Sequence, residues 1–248
     1  MSAGDWLLLV VAGVAGGLAG SIAGLASLTT YPALLAVGLG PVAANVTNTV
    51  ALVFSSAGSV SGSRPELTGQ GARVRRLGVS ALLGGVTGCG LLLVTAEATF
   101  ERIAPWLIGL ASLAIMIRPR PRPLQLPGHR DGPAMHAGVF LVGIYGGYFG
   151  AAAGVILLAL LLLGTTEPLP TSNALKNVLL GLANAVAALG FALLAPVEWL
   201  AIVPLAVGLF AGARLGPVVV RHAPADTLRV LIGLAGLALA VVLGAGAY

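Results

Sequence analysis

Eight long apolar runs, separated by short breaks, dominate this sequence. They cover about residues 6–38, 42–63, 77–96, 100–117, 134–163, 174–195, 199–220 and 227–247. The hydrocarbon core of a bilayer is about 30 Å thick, so a helix that crosses it needs about 20 apolar residues. Only 8% of the 248 residues are charged, whereas soluble domains carry roughly a quarter. The runs therefore predict an all-α, polytopic membrane helix bundle with seven or eight spans and no sizeable soluble domain.

The longest break between these runs, residues 118–133, is rich in proline and arginine. Proline at this density removes backbone donors and prevents a helix. We therefore predict a cytoplasmic linker here, which separates a first transmembrane repeat, residues 1–117, from a second, residues 134–248.

Two pairs of matching motifs indicate that the halves are repeats. GGLAGSIAG, which begins at Gly16, matches GGYFGAAAG, which begins at Gly146. PVAANVTN, which begins at Pro41, matches PTSNALKN, which begins at Pro170. Duplicated halves are common in secondary transporters, where the substrate site lies at the interface of the halves.

The first run of each half, 6–38 and 134–163, is too long for one perpendicular span and too short for two. Each contains clustered glycines, which weaken a helix and allow backbones to approach closely. These features predict a first helix that is tilted, discontinuous or folded into a re-entrant hairpin. The glycines expected at the helix breaks, where they would allow gating, are Gly20, Gly24, Gly150 and Gly154.

These alternatives imply different topologies. If each long run crosses once, the halves are parallel, and if each returns to its own side, the halves are inverted. The segment from Arg214 to Arg229 is basic, whereas the preceding loop carries Glu198. Because basic loops concentrate on the cytoplasmic side, this distribution favours inverted repeats.

Charge and reactive groups exclude several functional classes. The net charge is +5, and 12 of the 13 basic residues are arginines that lie mostly between apolar runs, which is typical of topology signals and not of nucleic-acid binding. Cys89 is the single cysteine, so no disulfide or cysteine metal site can form within the chain. No catalytic motif is present. We expect no enzyme activity, no cofactor and no metal site.

Polar residues inside the apolar runs are the candidates for substrate binding. Asn48 and Ser55 are seven residues apart, as are the matching Asn177 and Asn184, so each pair lies on one helix face. A buried amide without a partner costs several kcal/mol, so these faces turn either to a substrate path or to interhelical hydrogen bonds. The predicted substrate-binding residues are Asn45, Thr47, Asn48, Ser55, Asn173, Lys176, Asn177 and Asn184.

Lys176 is the only lysine in the sequence. An ionisable residue inside a span indicates a functional site, and a cation near a helix N-terminus suits an anion. The alternative is that the side chain snorkels to the membrane interface.

The matched motifs, GGLAGSIAG with PVAANVTNTVALVFSSAGSV and GGYFGAAAG with PTSNALKNVLLGLANAVAALGF, resemble the TauE/SafE family of sulfite and organosulfonate exporters. The resemblance covers essentially the whole chain. It implies two repeats, seven or eight spans, and movement of sulfur-containing or carboxylate anions across the bacterial inner membrane.

Together these observations predict a multi-pass permease that moves a small anion through a central site between the repeats. The expected partners are the anionic substrate and the lipid bilayer, without nucleic acid; whether the chain forms a homo-oligomer is left open. The alternative hypothesis is a membrane scaffold or assembly subunit that transports nothing. It predicts that no polar cavity exists at the repeat interface.

Overall fold

The structure, a computed structural model, describes residues 1–116, 132–222 and Val241. Within these residues the fold is entirely helical, as predicted. Its ten helices are α1 (Ala3–Ala23), α2 (Ser27–Ala36), α3 (Pro41–Gly62), α4 (Arg64–Leu67), α5 (Gly71–Val94), α6 (Glu97–Met116), α7 (Pro133–Tyr148), α8 (Ala153–Gly164), α9 (Leu169–Leu194) and α10 (Trp199–His222).

Two predicted segments fall largely outside the described residues. These are the linker, of which 132–133 alone are described, and the last apolar run, 227–247, of which Val241 alone is described. The basic segment that begins at Arg214 is described as far as His222.

Local sequence signals explain where several helices begin. Ser2 and Asp5 form a capping box at the start of α1, in which each side chain accepts a hydrogen bond from the backbone N–H of the other residue. Pro41 is the first residue of α3, and Pro133 is the first residue of α7. Proline suits this position because the first N–H of a helix has no intrahelical partner.

The first run of each half forms two helices, so a single tilted helix is excluded. α1 ends at Gly24, which has φ 77° and ψ 32°, a left-handed conformation that glycine adopts without steric cost. α2 then folds back on α1: Gly16 faces Thr30, and Gly20 faces Ala26. We call α1 and α2 the first hairpin.

α7 and α8 repeat this arrangement, and we call them the second hairpin. Gly150, at φ 75°, ends the turn after α7, and Gly138 on α7 faces Leu160 on α8. The leucines of α8 pack into a buried cluster with Leu77, Leu175 and Leu179 from α5 and α9.

Each hairpin packs its long helix against the other half of the chain. α1 lies along α10, where Gly13 contacts Leu205 and Gly208. α7 lies along α5 in the same way, with Gly147 against Gly85. Glycine is needed at these contacts because a Cβ atom would overlap the backbone of the facing helix.

The register of these contacts fixes the helix directions. Successive glycines of α10 meet successive residues of α1 in the same order, so these two helices are parallel, and α3 runs with them. α5, α7 and α9 run the opposite way. The loops 37–40, 95–96 and 195–198 therefore share one end of the bundle with Ala3, which we call the N-terminal face. The loops 63–70 and 165–168 lie at the other end, the linker face.

Four helices in the described part of the chain are long and apolar enough to cross a membrane. They are α1, α5, α9 and residues Trp199–Val219 of α10. Their outward side chains include Val94 and Leu193, each 81% exposed, which is expected where lipid replaces water as the solvent.

Candidate functional site

A cavity lined partly by polar side chains lies where the tips of the two hairpins meet. Its volume is about 50 Å³, which is room for roughly three or four water molecules. The backbones of Gly24 and Gly154 touch beside it. The predicted break glycines, Gly20, Gly24, Gly150 and Gly154, all line its wall.

Ser55 and Asn184 are the buried polar lining residues whose side chains lack partners in the described part of the protein. Ser55 is 7% and Asn184 8% exposed, and neither side chain forms a hydrogen bond with another described residue. A buried amide without a partner is costly, so the cavity must supply the partner, either water or a ligand. The other polar lining residues are Ser27, Ser56, Ser59 and Asn177.

The first turns of α2 and α8 also border the cavity, through Ser27 and Gly154. In the part of the chain that the structure describes, the backbone N–H groups of these two residues reach no protein acceptor. Free N–H groups at a helix N-terminus attract anions. Together with the amide of Asn184 and the hydroxyl of Ser55, they form a set of hydrogen-bond donors suited to a small oxyanion.

Asn177 lies at the cavity wall and is also bonded to the protein. Its amide donates to the hydroxyl of Ser59 and, at 3.3 Å, to the carbonyl of Ser21. The Ser59 hydroxyl lies 2.7 Å from that of Ser21. This chain of bonds ties α9 to α3 and to the end of α1, so Asn177 shapes the wall as well as lining it.

Asn48, which matches Asn177 in sequence, does not line the cavity. Its oxygen accepts from the hydroxyl of Thr30 at 2.6 Å, and its amide donates to Ser27 at 3.1 Å. Both partners are on α2. Asn48 therefore holds the first hairpin against α3, which is the interhelical role that the sequence left open.

Asn45, Thr47 and Asn173 also form interhelical contacts away from the cavity lining. Asn45 donates to the carbonyl of Tyr148 at 2.9 Å, and Asn173 donates to that of Ser21 at 2.9 Å. Thr47 accepts from the backbone N–H of Glu198 at 3.0 Å. Thus an amide from the long helix of each half holds the end of the broken helix in the other half.

Lys176 is fully buried, at 0% exposure, and does not snorkel. Its ammonium donates to the carbonyls of Gly20 at 3.0 Å and Ser21 at 3.2 Å. These belong to the last turn of α1, where a cation is favoured by the helix dipole and by carbonyls without intrahelical partners. Lys176 therefore contacts the end of α1. One of its two partners there, Gly20, also lines the cavity.

Different contacts lie between the hairpin tips and each of the two faces. Toward the N-terminal face, Phe149 packs edge-on against Tyr31, with ring centroids 5.5 Å apart, and against Phe100 at 5.8 Å. At the linker face, Arg73 of α5 forms an ion pair with Glu167 at 2.6 Å. The hydrogen bond from Arg73 holds the pKa of Glu167 below its ordinary value.

Seven residues that the sequence analysis predicted for binding or gating line the cavity. They are Ser55, Asn177, Asn184, Gly20, Gly24, Gly150 and Gly154. It missed Ser59, although the signal was present, because Ser59 is four residues after Ser55 and shares its helix face. The polar cavity is also the feature that the scaffold hypothesis predicted to be absent.

Comparisons with known proteins give one family. A family model described as sulfite exporter TauE/SafE matches residues 8–243. No curated protein and no solved structure matches the chain significantly.

Proposed function

Because this chain belongs to the sulfite exporter TauE/SafE family, whose members are multi-pass membrane transporters and not enzymes, we propose that it moves a small anion through the central cavity. One observation carries this proposal. Ser55 and Asn184, from opposite halves, present polar groups without protein partners to a cavity between the hairpins. The favoured substrates are sulfite, an organosulfonate or a related sulfur or carboxylate anion.

In the bound state, the substrate oxygens accept hydrogen bonds from Ser55, Asn184 and the first N–H groups of α2 and α8. Asn177 completes the wall. Four other predicted site residues do not contact the substrate and instead hold the helices that shape the cavity. They are Asn45, Thr47, Asn48 and Asn173.

The transport step follows from two inverted repeats, residues 1–117 and 134–248. The opposite directions of α3 and α9 and the recurrence of the hairpin in each half support this division. Each hairpin enters the membrane from one face and returns to it. Close glycine contacts at the tips, above all Gly24 with Gly154, allow the hairpins to slide and expose the cavity to each side in turn.

The distribution of charge orients the chain in a bacterial inner membrane. Arg64, Arg75 and Arg76 lie at the linker face, whereas Asp5 and Glu97 lie at the N-terminal face. Positive loops remain in the cytoplasm. The linker face is therefore cytoplasmic, with seven or eight spans in the whole chain.

The test is uptake of radiolabelled sulfite, methanesulfonate or acetate into liposomes that contain the purified protein. Ser55→Ala and Asn184→Ala are expected to reduce uptake at limiting substrate at least tenfold. Thr87→Ala, which removes a hydroxyl from the outward face of α5, is the control and should transport normally. Normal uptake by both cavity variants would remove this site, and absence of anion uptake by the wild type would remove the proposed function.

A further inference from the structure

We propose that the central site selects an anion with a single negative charge, because Lys176 supplies one buried positive charge beside the cavity. This inference rests on the proposed function and narrows its substrate class. The favoured ligands are hydrogensulfite, a monosulfonate or a monocarboxylate. Sulfate and other dianions of similar size are excluded by their charge.

The position of Lys176 is the first step. Among the described residues it is the only charged side chain that is fully buried. Its ammonium is bonded to Gly20 and Ser21, and Gly20 itself lines the cavity. Its helix neighbour Asn177 lines the cavity as well. The charge therefore lies directly behind the wall.

The second step is the absence of a neutralising group near this charge. Within residues 1–116 and 132–222, no carboxylate lies within ion-pair distance of Lys176. The ion pair between Arg73 and Glu167 is at the linker face and is internally neutral. The partners of Lys176 are carbonyl oxygens, which carry no formal charge. A buried charge without a counter-charge is unfavourable, so an anion in the cavity is the counter-charge that this site lacks.

The third step concerns the helix dipoles. The C-terminus of α1 and the N-terminus of α2 meet at one tip, and the corresponding ends of α7 and α8 meet at the other. Partial charges of about half a unit and opposite sign therefore lie side by side at each tip and largely cancel at a distance. The ammonium of Lys176 is the net charge that remains.

One bound negative charge thus leaves the cavity region neutral, whereas two leave an excess charge in a medium of low dielectric constant. The second charge of a dianion has no fixed partner at this depth. Hydrogen-bond donors alone would not discriminate, because sulfate and methanesulfonate are both tetrahedral oxyanions of similar size. The discrimination between them must come from charge.

The experiment measures displacement of bound radiolabelled sulfite from purified protein in detergent, at one fixed neutral pH. The competitors are methanesulfonate, with one charge, and sulfate, with two. Methanesulfonate is expected to displace sulfite at a concentration at least ten times lower than sulfate. Lys176→Met should weaken direct binding of the radiolabelled sulfite at least tenfold, and Lys176→Arg should restore part of it.

A charge-addition variant separates this role from the structural role of Lys176 at the end of α1. Ser56 on α3 lines the cavity, and its side chain forms no hydrogen bond with another described residue. Ser56→Lys adds a second cation at the cavity wall while leaving Lys176 in place. It should shift the preference toward sulfate by at least tenfold.

Equal displacement by both anions in the wild type would overturn the charge selection and leave the anion site intact. An unchanged preference in folded Ser56→Lys would overturn it as well. If sulfite binds but neither anion displaces it, the charge selection fails and the anion site remains. If sulfite does not bind, the proposed function fails together with this inference.

Discussion

The two hairpins share one architecture but are held in place by different interactions. In the first hairpin, Thr30 and Ser27 on α2 are bonded to Asn48 on α3. The end of α1 is held by Asn173 and Lys176 on α9. Polar side chains therefore fix both helices of this hairpin to the long helices of the bundle.

The second hairpin is held mainly by apolar packing. The positions on α8 that match Ser27 and Thr30 are Leu157 and Leu160. Since α8 offers no polar partner there, Asn177 bonds to α1 and α3 instead and faces the cavity. Among the described residues, the polar ties of this hairpin are Asn45 to Tyr148, Ser80 on α5 to His136 on α7, and an internal bond from Tyr145 to Ala151.

This difference indicates which hairpin moves. A hydrogen bond must be broken before a helix can shift, whereas leucines can exchange one packed neighbour for another within the membrane. We infer that the first hairpin is the fixed wall of the site and the second hairpin is the mobile one. The predictions below test this contrast at four points.

The largest effect is expected at the contact between the two tips. A Cβ atom on Gly154 would overlap the backbone of Gly24, which cannot yield as a side chain can. Gly154→Ala should therefore separate the hairpins, lower stability by several kcal/mol and abolish transport. Thermal unfolding measures the loss of stability, and uptake into liposomes measures the loss of transport.

Gly90→Ala is the matched control, because Gly90 lies on α5 with open space around it. This variant should be neutral or slightly stabilising. Normal transport in Gly154→Ala would show that the tips need not touch.

The membrane helices and their polar faces were predictable from the sequence, because apolar runs and helix periodicity determine them. Helix periodicity shows that Ser55 shares a face with Asn48, and the matched motifs show that Asn184 corresponds to Ser55. Periodicity does not identify the partner that a face meets. The partner of Lys176 is a backbone carbonyl in a stretch of Gly, Ala and Ser, which has no sequence signature. The division between Asn48, which is tied to α2, and Asn177, which faces the cavity, depends on the residues of α2 and α8 and required the structure.

The next effect is expected where the second hairpin depends on packing. Phe149 follows α7, is 2% exposed and contacts the rings of Tyr31 and Phe100. Phe149→Ala should cost about 3–4 kcal/mol of stability and increase passive anion leak toward the N-terminal face. Phe149→Leu keeps most of the volume and should cost less than half as much. A leak rate that stays at the wild-type level in Phe149→Ala would show that this aromatic cluster does not close the cavity.

A smaller effect on stability is expected where the first hairpin depends on hydrogen bonds. Asn48→Ala removes both bonds to α2 and leaves Thr30 and Ser27 without this partner, at a cost of about 2–3 kcal/mol. Asn184→Ala breaks no protein hydrogen bond among the described residues and should change stability by less than about 1 kcal/mol while weakening substrate binding. Denaturation and binding assays on the two variants distinguish the roles. If Asn184→Ala proves as destabilising as Asn48→Ala, Asn184 is a structural residue and not a ligand.

The smallest effect is expected at the ion pair that joins Arg73 to the loop before α9. This pair is partly exposed, with side-chain exposures of 17% and 23%, so Glu167→Gln should cost about 1 kcal/mol or less. Because Arg73 lowers the pKa of Glu167, the contribution of the pair is complete above the ordinary carboxyl pKa of about 4.3. It is lost as the pH falls through the lowered value. The free energies of unfolding of the wild type and Glu167→Gln should therefore differ by a constant amount between pH 6 and 8 and converge in strong acid.

If the pair restrains the second hairpin at the linker face, Glu167→Gln should also raise the transport rate up to about fivefold, which corresponds to 1 kcal/mol. An unchanged rate with reduced stability would mean that the pair supports the fold without restraining the hairpin, and the mobile element would then end before Glu167.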